Sequence, residues 1–166
     1  SSAASDVYKR QAQFSKYGAV FSEITPNDFD ECITFAAESY NAKDGYSDAS
    51  SVAEQYAIHT FFQNFEALEL KGGLLRVDGE LAAFSIGEPI CSNTFGVHIE
   101  KADTRFHGAY PAMAQAFAAH FAMDYTYLNR EEDLGIPGLR KSKLSYYPEL
   151  LLEKWTATCD TPEKLL

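Results

Sequence analysis

Apolar side chains recur along this chain in two rhythms, one near 3.6 residues and one near 2, and the switches between them mark its elements. Residues 18–24 predict a short strand. Thr25-Pro26-Asn27-Asp28 then reads as a helix opening, with Thr at the N-cap, Pro at the first helical position and a carboxylate three residues after the cap. Phe29, Ile33, Ala36 and Tyr40 follow at helical spacing. A polar loop over residues 43–50 precedes a second helix, over about 51–68, with Ile58, Phe61, Phe62, Phe65 and Leu68 on one face. Gly72-Gly73 breaks it. Residues 74–77 and 80–86 predict two strands joined at Asp78-Gly79, a strong hairpin signal, and residues 94–100 a third. A helix over 108–121, a strand over 125–128, a short helix over 137–145 and a last strand over 150–158 complete the pattern. The order β-α-α-β-β-β-α-β-α-β predicts an α/β (α+β) fold, a mixed central sheet with helices on both faces. Residues 17–158 read as one domain. Residues 1–16 are expected to be a disordered or foreign tail, since the opening Ser-Ser-Ala-Ala-Ser-Asp carries neither Met nor periodicity, and residues 159–166 a C-terminal tail.

At 166 residues, 46% hydrophobic and 14% aromatic, the chain suits a single domain with its own core and excludes bulk disorder. No apolar run reaches the roughly 18 residues of a spanning helix, so membrane contact, if any, is expected to be peripheral. A net charge of −10 argues against a DNA partner. Cys32, Cys91 and Cys159 are far apart and form no CxxC pair, which gives no thiol-built zinc site and no disulfide framework. Spread thiols, and a start without an apolar signal region, lead us to expect a cytoplasmic protein.

Three segments carry residues that a core does not explain. In Thr94-Phe95-Gly96-Val97-His98-Ile99-Glu100-Lys101, strand alternation puts Phe95, Val97 and Ile99 on one face and His98 and Glu100 on the other. A carboxylate beside a histidine can serve as a general base, while the plain alternative is a salt-bridged strand end; two ligands are too few for a metal. In Arg105-Phe106-His107-Gly108-Ala109-Tyr110-Pro111, a Gly turn enters a helix N-terminus, where free N–H groups and the helix dipole favour an anion, unless Gly108 merely supplies a turn angle. The third segment runs from Asn129 to Pro148, the densest polar stretch, after a strand end where α/β sheets place ligands. Lys101, Arg105, Arg130, Arg140, Lys141 and Lys143 are six of the 14 Lys and Arg residues, and an acidic chain that collects cations there is expected to meet an anion. The alternative is a set of ion pairs with Glu131, Glu132 and Asp133. Phe61, Phe62 and Phe65 read as core, His59, His107 and His120 as bystanders, and Trp155 as packed on the last strand.

The element order and Arg105-x-x-Gly108-x-Tyr110 resemble the GNAT acyltransferase fold, whose Q/R-x-x-G-x-G/A loop holds the pyrophosphate of acyl-CoA; Tyr110 stands where that pattern has a small residue. Val97-His98-Ile99-Glu100-Lys101-Ala102-Asp103, Gly108-Ala109-Tyr110, Asn129-Arg130-Glu131-Glu132-Asp133-Leu134-Gly135 and Gly138-Leu139-Arg140-Lys141-Ser142-Lys143-Leu144-Ser145-Tyr146 resemble, more specifically, the phosphatidylglycerol lysyltransferase C-terminal domain family. That resemblance implies a GNAT-like sheet and aminoacyl or acyl transfer, with aminoacyl-tRNA or acyl-CoA as donor. It also implies a tandem of two GNAT-like halves, of which this chain resembles the second, with an N-terminal half as partner. Acyl transfer needs a base, an oxyanion donor and an acid. Glu100 is the candidate base, Asn129 the residue that orients substrate or faces the oxyanion, and Tyr146 the acid, with Tyr147 as its neighbouring alternative. Lys101, Arg105, Gly108, Arg130, Arg140, Lys141 and Lys143 form the candidate anion-binding set. The competing expectations are a non-catalytic ligand-binding half and a CoA-dependent N-acetyltransferase.

Overall fold

A computed structural model of the chain describes residues 2–41 and 49–158. The elements, in chain order, are α1 (Ser2–Phe14), β1 (Val20–Glu23), α2 (Phe29–Asn41), α3 (Ala49–Gln63), β2 (Lys71–Val77), β3 (Glu80–Cys91), β4 (Thr94–Ala102), α4 (Ala109–Phe121), β5 (Tyr127–Asn129) and α5 (Pro137–Leu144). The sheet has the order β1-β2-β3-β4-β5, with β1 to β4 antiparallel and β5 parallel to β4. Helices cover both faces, as the pattern predicts. The α2 start is fixed as expected: the Asp28 carboxylate accepts the Thr25 N–H at 2.9 Å, and Arg76 from β2 reaches Asp28 at 3.1 Å and Glu31 at 2.5 Å. Asp78 and Gly79 turn β2 into β3 with φ of 50° and 86°, the pair of positive angles a two-residue hairpin needs.

Two cores flank the sheet. One, with Phe14, Ala83, Phe95, Val97, Ala102, Met113 and Phe117, lies under α1 and α4. The other, with Cys32, Ile58, Phe62, Phe84, Ile86 and Ile99, lies under α2 and α3. Phe62 is core, while Phe61 and Phe65 are partly buried against it.

Four expectations are corrected. Residues 1–16 include α1, whose Phe14 is buried and whose Gln11 donates from Nε2 to the Pro111 carbonyl at 3.1 Å; tertiary packing on α4 supplies the order that local pattern does not show. The last strand over 150–158 does not form: the segment is irregular and pairs with no strand, and Trp155 is 88% exposed. Gly72 and Gly73 lie inside β2, because α3 has already ended at Gln63. The fourth concerns β4. Ile86 pairs with Ile99 but Gly87 with Val97, so His98 is an extra residue, a β-bulge. The bulge reverses the alternation. Phe95 and Val97 face α4, Ile99 faces α2 and α3, and His98 and Glu100 lie on opposite faces. The expected loop over 43–50 lies largely, and Cys159 with the 159–166 tail wholly, outside the described residues.

Candidate active site

The one parallel pair of the mixed sheet, β4 with the edge strand β5, parts early. β5 pairs with β4 only from Thr94–Tyr127 to Gly96–Asn129, after which β4 runs on to Ala102 and the chain beyond Asn129 turns off into a loop. Glu100 from β4 and Arg130 from that loop meet in the opening, with Arg130 Nη2 donating to Glu100 Oε2 at 2.5 Å. Their side chains are only 19% (Arg130) and 18% (Glu100) exposed. The ring of Tyr146, just past α5, lies 4.4 Å from the Arg130 guanidinium carbon, a cation–π contact. Lys143 Nζ donates to the carbonyls of Arg130 and Glu132, each at 2.5 Å. Asn129 Oδ1 accepts the Glu131 N–H at 2.8 Å, so this residue shapes the loop from the end of β5.

Burial works against the Arg130 charge, but Glu100 beside it outweighs burial and raises the guanidinium pKa, so it stays charged. Burial, with the nearby Arg130 charge, lowers the Lys143 pKa. Burial also raises the Tyr146 hydroxyl above its ordinary 10, and it keeps its proton at neutral pH.

On the opposite face, His98 is clamped. Its Nδ1 lies 2.6 Å from Glu131 Oε1 and its Nε2 lies 3.0 Å from Glu88 Oε1, while its ring stacks on Phe61 at 5.5 Å. The Glu131 hydrogen bond, against the effect of burial and with help from Glu88, raises the histidine pKa above 6.5. The clamp ties β3, β4 and the loop after β5 to α3. His98 is a structural link here rather than a partner of Glu100.

Glu100, Arg130 and Tyr146 thus converge, with Lys143 holding the loop behind them. The rest of the expected set does not join them. Lys101 points to the α3 face and pairs with Glu54 at 2.9 Å, because the strand alternates. Arg105 is engaged by Asp103 and Glu80. Gly108, with φ of 91°, lies against α1, and a Cβ there would run into the Arg10 carbonyl oxygen. Arg140 bonds Asp133 at 2.6 and 3.1 Å, the ion-pair alternative, and Lys141 is exposed on α5. A cavity of about 700 Å³ lies elsewhere, between α2 and the ends of β3 and β4, lined among others by Phe35, Glu38, Asp103 and Tyr110. Sequence reasoning missed Ser85. It is the one polar residue in the buried run from Leu81 to Gly87, and it sits directly across from Glu100 in the β3–β4 register.

Comparison with known proteins agrees with this architecture. The family described as "Phosphatidylglycerol lysyltransferase, C-terminal" matches residues 8–158. A conserved protein of unknown function from Bacteroides thetaiotaomicron VPI-5482 is 41% identical with a TM-score of 0.77, and the match covers 86% of this chain and 50% of that one. The chain therefore spans half the length of that relative. A possible acetyltransferase from Clostridium difficile 630 has a TM-score of 0.59 at 9% identity, over 86% of this chain and 99% of that one. Ribosomal-protein-alanine N-acetyltransferase from Brucella melitensis biovar Abortus 2308 has a TM-score of 0.53 at 17% identity, over 86% and 98%. No curated protein matches the chain. Among the described residues, no helix is long and apolar enough to cross a membrane. A mixed sheet of GNAT type, opened between β4 and β5 around Glu100, is thus the frame of a chain that belongs to the phosphatidylglycerol lysyltransferase C-terminal family.

Proposed function

We propose that this domain transfers an aminoacyl or acyl group, with the reaction centred in the opening between β4 and β5. The observation that carries the reading is the half-buried Glu100–Arg130 pair with Tyr146 on the guanidinium face. In this scheme an acceptor amine or hydroxyl attacks the acyl carbon and gives its proton to Glu100. The charge that develops on the acyl oxygen falls beside Arg130. The bond to the leaving oxygen breaks, and that oxygen takes the Tyr146 proton. An acyl ester and the acceptor become an acylated acceptor and a free hydroxyl.

An aminoacyl ester such as aminoacyl-tRNA suits the chain better than acyl-CoA. What favours it is α1, seated against Gly108 at the α4 N-terminus where a CoA pyrophosphate would need open backbone. Any tRNA contact falls to the exposed Arg140, Lys141 and Lys154, and weakens with salt. We place this activity in the cytoplasm, in keeping with the spread cysteines. A parallel assay with an aminoacyl ester and with acetyl-CoA tests the reading. Transfer from the ester alone supports it, and turnover with acetyl-CoA alone assigns a CoA-dependent N-acetyltransferase.

One observation favours a second reading, a ligand-binding half that works only against a partner half. Leu150, Leu151, Leu152 and Trp155 are all exposed, and the chain matches half of its Bacteroides relative. Absence of turnover with every donor, restored by adding the other half, selects it.

A further inference from the structure

Among the described residues, three side-chain polar atoms are buried without a hydrogen-bond partner: Ser85 Oγ, Arg130 Nε and Arg130 Nη1. All three belong to residues that flank Glu100. Arg130 spends only Nη2 on the Glu100 carboxylate. Ser85 stands opposite Glu100 in register, so their side chains leave the same face of the sheet. Ser85 is 0% exposed, between buried Phe84 and Ile86, where an alanine would fill the space without a stranded hydroxyl. Buried donors without partners are rare in folded proteins and each calls for an acceptor. Two such residues on either side of one carboxylate point to an acceptor that arrives from outside.

We infer that Ser85, Glu100 and Arg130 enclose a subsite for an sp² oxygen of the ligand, a carboxylate or acyl carbonyl oxygen, held by an unpaired N–H of Arg130 and by the Ser85 hydroxyl. The inference rests on the transfer reading only in this: where transfer takes place at Glu100, that oxygen is the carbonyl oxygen of the group transferred. Arg130 supplies charge and direction. Ser85 gives the subsite a second anchor on β3, behind the strand that carries Glu100.

The test uses two small probes on the intact protein, sodium acetate for a carboxylate and acetamide for a neutral carbonyl, with sodium chloride at matched ionic strength as control. The readouts are the Arg130 Nε–H resonance and the melting temperature. A saturable shift of that resonance with either probe, absent with chloride, is expected, and the probe that binds more tightly names the ligand class. Ser85→Ala, which removes only a stranded oxygen, is expected to melt higher than wild type yet bind the probe about fivefold more weakly, the worth of one neutral hydrogen bond. Arg130→Lys is expected to lose the probe. No saturable shift with either probe, or unchanged probe affinity in Ser85→Ala, overturns the subsite. Probe binding without any transfer activity contradicts the proposed function and leaves the subsite standing. Transfer activity without probe binding does the reverse.

Discussion

The two ends of β4 lie on one strand and behave as different materials. From Thr94 to Gly96 the strand has β3 on one side and β5 on the other, and Phe95 packs at 5.9 Å from Phe117 and 5.5 Å from Tyr125. From Val97 to Ala102 it has β3 alone, and His98, Glu100 and Lys101 each find an ionic partner. Two local events separate these ends: the extra residue at His98, which exchanges the faces, and the departure of β5 after Asn129, which frees the edge. An end paired on both sides, with Phe95 seated in an apolar core, has no free edge for chemistry. An open edge lined by half-buried ions has room for it. The comparison teaches that the site is made by a backbone irregularity first and by particular side chains second.

The largest effect is expected at the paired end. Phe117→Ala removes a ring that contacts Phe95 and Phe121 and should cost about 3–5 kcal/mol, read from the denaturant midpoint. It should leave the Glu100–Arg130 coupling unaltered in what remains folded. At the open end, Arg130→Met strands the Glu100 carboxylate and should cost about 2 kcal/mol, less than the roughly 3–5 of a fully buried pair. The double variant with Glu100→Gln should recover most of that loss, and simple additivity would show that the pair is not coupled.

A smaller effect, about 1 kcal/mol for the hydrogen bonds involved, is expected from pH. His98 has a folded pKa above 6.5, so its contribution is complete below about 6.5 and is lost as pH rises through the raised value. Glu131 is held below 4.5 by His98, so its contribution is complete above about 4.5 and is lost as pH falls through the lowered value. The loop over residues 129–135 should therefore be best protected from hydrogen exchange between these limits and should loosen on the alkaline side. In His98→Gln that dependence should vanish, and a wild-type slope in the variant would contradict the clamp. The smallest effect is expected for Arg140→Ala, whose pair with Asp133 is exposed: neither melting nor probe binding at Arg130 should change measurably.

Much of the frame is legible in the residues. Asp78-Gly79 announces its hairpin, Thr25 to Asp28 announce α2, and the apolar runs mark β2 to β4, because each signal is local. Glu100, Arg130 and Tyr146 stand out as polar groups at element ends, and the fold brings them together. The bulge at His98 is not legible, since a period of 2 carries no mark of an inserted residue, and it separates His98 from Glu100. α1 escapes notice because Gln11 and Phe14 acquire their partners a hundred residues or so downstream, at Pro111 and the α4 core. The same helix removes Gly108 from the anion-binding set. The cations of α5 divide for a related reason. Lys143 turns inward to loop carbonyls and Arg140 outward to Asp133, a choice made by loop geometry that composition does not encode.

The most direct measurement is single-turnover transfer from an aminoacyl ester by the protein and by its Glu100→Gln variant, with donor affinity measured alongside. If Glu100 takes the acceptor's proton in the opening between β4 and β5, the rate should fall by about 100-fold or more while affinity changes little. Equal rates in the two proteins would contradict it.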